Sequence, residues 1–169
     1  MASSLYFIVV LCLTSGLWIE GNAQDENSDD AQDDCCKSCP EGWTQFGQKC
    51  YMFHFNPKTW GEAERFCTTM GGNLASLHSD EVHDFLMETI TRMTGTKTNT
   101  WVGAYDATQE GVWLWSDGSK FEYKAWSAVE PNNWAGKEHC MEMNFMGKDY
   151  VNDAGCDKKK SFVCARDMW

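Results

Sequence analysis

Positive charge is scarce in this chain: fourteen Lys and Arg face 25 Asp and Glu, a formal net charge of −11. That balance argues against nucleic acid or an anionic membrane as partner, because both would repel it. One basic run breaks the pattern, Lys158-Lys159-Lys160, and it reads as a solvated turn ahead of a strand. Long apolar runs are scarce too. Beyond the amino terminus no stretch could span a bilayer, so membrane insertion is not expected. Catalytic signatures are missing: no Gly-x-Ser-x-Gly frames a nucleophile, and no His-Glu-x-x-His offers a zinc site. The chain is therefore not expected to be an enzyme. Its four histidines, His54, His78, His83 and His139, lack metal-ligand spacing and default to the surface.

Residues 1–23 are expected to be a secretory signal, which makes the protein extracellular. Leu5 to Leu13 is apolar apart from Tyr6 and Cys12, and Gly21 and Ala23 supply small residues for cleavage. A membrane anchor fits less well, since the apolar stretch stops at Ile19 with Glu20 behind it. Losing Glu20 with the leader leaves a net charge of about −10. Of nine cysteines, Cys12 leaves with the leader, and the remaining even number in a secreted chain implies an oxidised framework. Spacing alone does not choose the pairing. Cys36-x-x-Cys39 has zinc-like spacing, but no second pair follows at a suitable distance. Residues 24–34 hold six acidic side chains and almost nothing apolar, so residues 24–38 are expected to be an acidic tail that carries extra cysteines.

The folded part is expected over 39–169. Trp43, Phe46, Tyr51 and Phe53 fit a short aromatic hairpin turning near Gly47. Thr59 with Glu62 forms a capping box, and Ala63, Phe66, Cys67 and Met70 mark one helical face that Gly71-Gly72 ends. Ser79 caps a second helix with Asp80 and Glu81 in its first turn, and Val82, Leu86, Ile90 and Met93 form its stripe. Trp101–Ala104 and Val112–Trp115 read as core strands, and Cys140–Phe145 and Ser161–Cys164 as the last two strands. Phe121 to Trp134 has no regular pattern, and an ordered loop of that length usually binds something. Two helices, then short strands and a long loop, make an α+β domain.

Five side chains with hard oxygens gather around that loop: Glu130, Asn132, Glu138, Asn152 and Asp153. That number of oxygens suits calcium, which takes six to eight in flexible geometry. A cis bond before Pro131 would turn Glu130 and Asn132 towards one ion. The plainer alternative is a solvated acidic loop, and for any one of these residues taken singly it is the better reading.

Cys39-Pro-Glu-Gly-Trp, Trp101-Val-Gly-Ala, Trp115-Ser-Asp-Gly, Glu130-Pro-Asn, Asn152-Asp-x-x-Cys156 and Phe162-Val-Cys164 together resemble the C-type lectin-like domain family over about residues 39–166, in the form of fish secreted lectins. The resemblance implies pairs Cys67–Cys164 and Cys140–Cys156, with Cys39–Cys50 as an added bridge. It leaves Cys35 and Cys36 to link copies into a disulfide-bonded oligomer. It implies Ca2+ held by Glu130, Asn132, Glu138, Asn152 and Asp153, and a sugar contacting Glu130, Asn132, Glu138 and Asn152. Glu-Pro-Asn is the family order for mannose-type sugars (mannose, N-acetylglucosamine, fucose). Trp134 lies where an aromatic ring would stack on galactose, the rival specificity. Val151 stands where the family usually has Trp. A second calcium position would fall on Asp106, Glu110, Asn133 and His139, with two acids missing, so a single strong site is expected. The implied partners are glycans on cell or microbial surfaces, in a defence role; ice binding and protein binding are the other uses of this fold.

Overall fold

The computed structural model describes residues 38–169. The expected signal, the acidic tail to residue 37, and Cys35 and Cys36 lie outside the described residues. Elements follow the chain as β1 (Thr44–Phe46), β2 (Lys49–Lys58), α1 (Trp60–Thr69), β3 (Asn73–Leu74), α2 (Asp80–Thr94), β4 (Thr100–Tyr105), β5 (Leu114–Trp115), β6 (Cys140–Met143), β7 (Val151–Ala154) and β8 (Lys160–Asp167). The α+β expectation holds: two helices pack on one mixed sheet of order β1-β2-β8-β4-β6-β7, with β3 on β8 and β5 on β4. Among the described strand pairs only β4–β8 is parallel.

Both helices start as their sequences dictate. The Glu62 N–H donates to Thr59 Oγ1 (3.4 Å) while the Thr59 N–H donates to Glu62 Oε2 (3.0 Å), a complete capping box. The Val82 N–H donates to Ser79 Oγ (3.4 Å), and Gly95, left-handed, ends α2. Their buried faces differ in part from expectation. α1 buries Ala63 and Cys67, but Met70 is exposed. α2 buries His83, Leu86, Thr89 and Ile90; Val82 is half-buried and Met93 is 56% exposed. The stripe follows His83, Leu86 and Ile90, and the final turn buries nothing, which leaves Met93 in solvent. His83 is thus a core residue rather than a surface one. His54 is half-buried too, stacked on Phe162 (4.8 Å between centroids).

The expected 112–115 core strand is shorter and half exposed. Val112 and Leu114 face out while Trp113 and Trp115 are buried, the alternation of a strand covered on one side. Ser161 to Cys164 falls inside β8 as expected, but it and Cys140–Phe145 are not the last two strands: the earlier one ends at Met143 as β6, and β7 lies between them in the chain. Lys160 is the first residue of β8 and three-quarters or more buried, so the basic run is not simply a solvated turn.

Three disulfides match the implied set: Cys39–Cys50, Cys67–Cys164 and Cys140–Cys156. Cys39 is therefore not a zinc ligand. The Cys67–Cys164 bridge joins α1 to β8 across 97 residues of sequence. Closing such a loop is worth roughly 4–5 kcal/mol in the chain-entropy description. Gly72 lets α1 reach the sheet, since a Cβ there would lie 2.2 Å from the Ala165 carbonyl oxygen. Gly61, on the same helix, has nothing within 4 Å of its Cβ position. Gly72→Ala should destabilise the fold by about 1–3 kcal/mol through overpacking against backbone. Gly61→Ala should instead stabilise it by about 0.4–1 kcal/mol by restricting the unfolded chain. Denaturant unfolding with the disulfides intact reads both signs.

Candidate functional site

The loop between β5 and β6 folds back onto β7, and its carboxylates meet there. The Glu130–Pro131 bond is cis. The next backbone N–H groups are tethered to Asp153: Asn132 donates to Oδ1 (3.1 Å) and Asn133 to Oδ2 (2.7 Å). The Trp134 N–H donates to Glu138 Oε2 (3.0 Å), and the Glu138 N–H donates to Asn133 Oδ1 (3.1 Å). Asn133 and Ala135 have φ of 43° and 57°, the left-handed turn that brings Glu138 back under the loop. Asn152 and Asp153 are fixed by β7 and are almost fully buried. The structure thus brings Glu130, Asn132, Glu138, Asn152 and Asp153 to one end of the β6–β7 pair.

The electrostatics of that cluster are incomplete without a cation. Glu130 Oε2 is buried and accepts no hydrogen bond. Burial, and then the neighbouring Asp153 carboxylate, push the Glu130 carboxyl up to about 7. Burial also raises Glu138, with the Asp153 and Glu142 charges adding to it. Among the described residues no Lys, Arg or His forms an ion pair with Glu130, Glu138 or Asp153. Several oxygens, an orphaned carboxylate oxygen and no positive partner fit a hard divalent cation such as calcium.

Beside this lies a second group, Asp106, Glu110 and His139, whose ligand atoms lie within 4.8 Å of one another. His139 Nδ1 is 3.0 Å from Asp106 Oδ1 and 3.5 Å from Glu110 Oε2. The Nδ1 atom thus lies within reach of both acids, and the three groups are engaged with one another. Gly111 N–H holds the other Asp106 oxygen (2.8 Å), and Asn133 Nδ2 donates to Glu110. His139 is therefore not a free surface histidine.

Trp134 is not a loop aromatic turned inward: it is 73% exposed, next to Glu138.

Sequence reasoning missed the residue that fixes Asn152. Glu142 and Asn152 face each other across β6 and β7, and Asn152 Nδ2 donates to Glu142 Oε1 (3.1 Å) as well as to the Asp153 carbonyl. Glu142 is 1% exposed. Its Oε2 accepts from Asn99 Nδ2 (2.8 Å) and pairs with Lys160 Nζ (2.9 Å), whose head lies over the Trp101 ring. With its amide nitrogen turned inward, Asn152 has its oxygen left to offer a ligand. The available signal was an acid inside the otherwise apolar Cys140–Met143 strand, which needs a buried partner.

Comparison with known proteins gives a consistent result. Residues 56–166 match the Lectin C-type domain family. Galactose-specific lectin nattectin of Thalassophryne nattereri is 40% identical over 168 residues, covering 99% of this chain and 100% of that protein. Lactose-binding lectin l-2 of Anguilla japonica is 36% identical, covering 79% of this chain and 81% of that one. Among solved structures, calcium-independent type II antifreeze protein is similar with a TM-score of 0.71 at 29% identity, covering 79% of this chain and 97% of that one.

Two outcomes follow from the geometry. Glu142→Met alone should cost about 3–5 kcal/mol, since it strands Lys160, whereas Glu142→Met with Lys160→Met should restore most of that. Calcium affinity should stay reduced in the double variant, because Asn152 has lost its anchor; unfolding and calorimetry read the two separately. The second outcome concerns pH. A carboxyl raised to about 7 in the folded, metal-free chain stabilises the fold fully below its ordinary value of roughly 4.5 and loses that contribution as pH rises through 7. In EDTA the wild type should therefore gain stability over Glu130→Gln as pH falls from about 7.5 towards 5, and calcium should protect it less at the acid end. Thermal melts at several pH values check both.

Proposed function

The chain belongs to the Lectin C-type domain family, and on that premise we propose that it is a secreted, calcium-dependent carbohydrate-binding protein of the mannose-binding type. It is a binding domain rather than an enzyme. The observation that carries the calcium reading is the orphaned, buried Glu130 oxygen among carboxylates without a cationic partner. Glu130, Asn132, Glu138, Asn152 and Asp153 would hold Ca2+. Calcium bound there would supply positive charge for the oxygens of two neighbouring sugar hydroxyls.

The rest of the work falls to the chain. A carboxylate oxygen of Glu130 or Glu138 accepts a hydrogen bond from a sugar hydroxyl, and the Asn132 amide donates one to a hydroxyl oxygen. Asn152 differs: its amide nitrogen already serves Glu142 and the Asp153 carbonyl, so it contributes its oxygen and leaves Asn132 as the amide donor. The cis Glu130–Pro131 bond and the Asp153 tethers hold acceptor and donor on one loop. The Glu-Pro-Asn order favours equatorial diols, hence mannose-type sugars.

A galactose reading stands beside it, favoured by the exposed Trp134 ring and by relatives described as galactose-specific and lactose-binding. Stacking is worth about 0.5–1.5 kcal/mol beyond area burial. A misdirected pair of charge-assisted hydrogen bonds costs more, about 1.5–3 kcal/mol each. Mannose therefore leads on magnitude. The reading extends to the termini: residues 1–23 as a signal, 24–38 as an acidic tail, 39–169 as the recognition domain, and Cys35 and Cys36 as links between copies that present several sites to a glycan surface.

Retention on mannose resin in calcium, release by EDTA and competition by mannose over galactose are the expected results. Elution by galactose alone would reverse the specificity, and retention in EDTA would remove the calcium. Glu130→Gln with Asn132→Asp should shift preference to galactose by roughly tenfold or more, with Trp134 in place to stack.

A further inference from the structure

A groove of about 250 Å3 opens on the Trp134 side of the calcium-site residues, lined by Trp134, Lys137, Glu138, Gly155, Asp157 and Lys158. Its walls are fixed. Cys156 is bonded to Cys140, its carbonyl accepts from the Trp60 N–H (3.0 Å), and the Lys158 N–H donates to the Gly155 carbonyl (3.0 Å) in a tight turn. Gly155 forms the floor. A Cβ there would lie 2.8 Å from Asp157 Oδ1 and 3.8 Å from Lys158 Cε, so a side chain would fill the space those groups surround. One wall is the 73% exposed Trp134 ring.

In a chain of net charge −11, the groove lining is neutral, with Lys137 and Lys158 set against Glu138 and Asp157. A cation held in the adjacent site would engage Glu138 and leave two ammonium groups facing one carboxylate. Lys160, from the same basic run, is committed to Glu142, but neither Lys137 nor Lys158 makes an ion pair among the described residues. Glu138 belongs to both groove and site, so the two surfaces are continuous.

We propose that this groove is an anion subsite that takes a sulfate or carboxylate group carried by a saccharide whose neutral hydroxyls occupy the Glu130–Asp153 site. Lys137 and Lys158 meet the charge and Trp134 packs against the ring that carries it. The proposal rests on the sugar-binding reading above. Lysines are suited to the task because a compact ammonium on a flexible stem can follow either anion, while solvent screening keeps each contact modest.

The test uses the full secreted chain at about 0.15 M salt, where exposed charges are already screened. Titration calorimetry in calcium and in EDTA compares mannose with mannose 6-sulfate, galactose with galactose 6-sulfate, and lactose with 3′-sialyllactose. The acidic member of at least one pair should bind roughly three- to tenfold more tightly than its neutral parent. Lys137→Gln with Lys158→Gln should abolish that gain and leave the neutral sugar unchanged. The sulfate and sialyl arms tell which anion is accepted. Equal affinity within every pair overturns the subsite while sparing the sugar site, as does an acidic preference that survives in the double variant. If no neutral sugar binds in calcium, the sugar-binding reading fails and the subsite falls with it. Gly155→Ala, which leaves both lysines in place, should reduce the acidic gain without lowering neutral affinity; an undiminished gain would count against the groove.

Discussion

Mutual repulsion among Glu130, Glu138 and Asp153 is the constraint that the binding end of this molecule is built to withstand. Carboxylates kept close and partly dry resist ionising together, and the upward displacement of Glu130 and Glu138 reflects it. A free loop would spread them apart. Here three devices prevent that. The β6–β7 pairing fixes Asn152 and Asp153, Cys140–Cys156 ties the end of β7 to the start of β6, and backbone N–H groups of residues 132–134 hold the carboxylates to the loop. The strain is electrostatic and local, so a divalent cation bound there would relieve it where it arises. The sheet, helices and long-range bridge provide a platform stiff enough to carry it.

Glu142 shows how the platform and the site are joined. A buried ion pair gives little net stability compared with apolar residues of the same size. The Glu142–Lys160 pair does connect β6 to β8, while the other Glu142 oxygen meets the Asn152 amide on β7. The orientation of an amide is otherwise a weak preference, because its two ends have the same shape. A buried carboxylate beside one end removes the ambiguity. That gives the pair a role in specificity of geometry even where its contribution to stability is small.

Much of this could be read from the residues, and what could not has identifiable causes. Caps are local chemistry, so Thr59–Glu62 and Ser79 located both helix starts. The disulfide set was implied by the family resemblance, and the five oxygen-bearing side chains named with it do lie at one end of the β6–β7 pair. Where three-dimensional neighbours decide, the sequence was less informative. Met93 has the right spacing for the α2 stripe but sits on a turn that meets nothing. β7 is four residues with two polar side chains, Asn152 and Asp153, and has no strand pattern of its own; it exists because β6 lies beside it. Lys160 looked solvated because its run is basic, and the acid that draws it in lies 18 positions earlier on another strand.

The fold alone does not decide the ligand, since a calcium-independent antifreeze protein is similar over most of this chain. What differs between such uses is carried by side chains at the loop end. Asn133 is instructive there. Its oxygen accepts the Glu138 N–H, its amide reaches Glu110, and its own N–H binds Asp153. One side chain and its backbone thus tie Glu138 and Asp153 to the Asp106–Glu110–His139 group. With His139 within reach of both acids of that group, the loop has a protein scaffold on the side where a second ion would otherwise organise it. A cation held at Glu130, Glu138 and Asp153 would then meet a loop whose other contacts are already made.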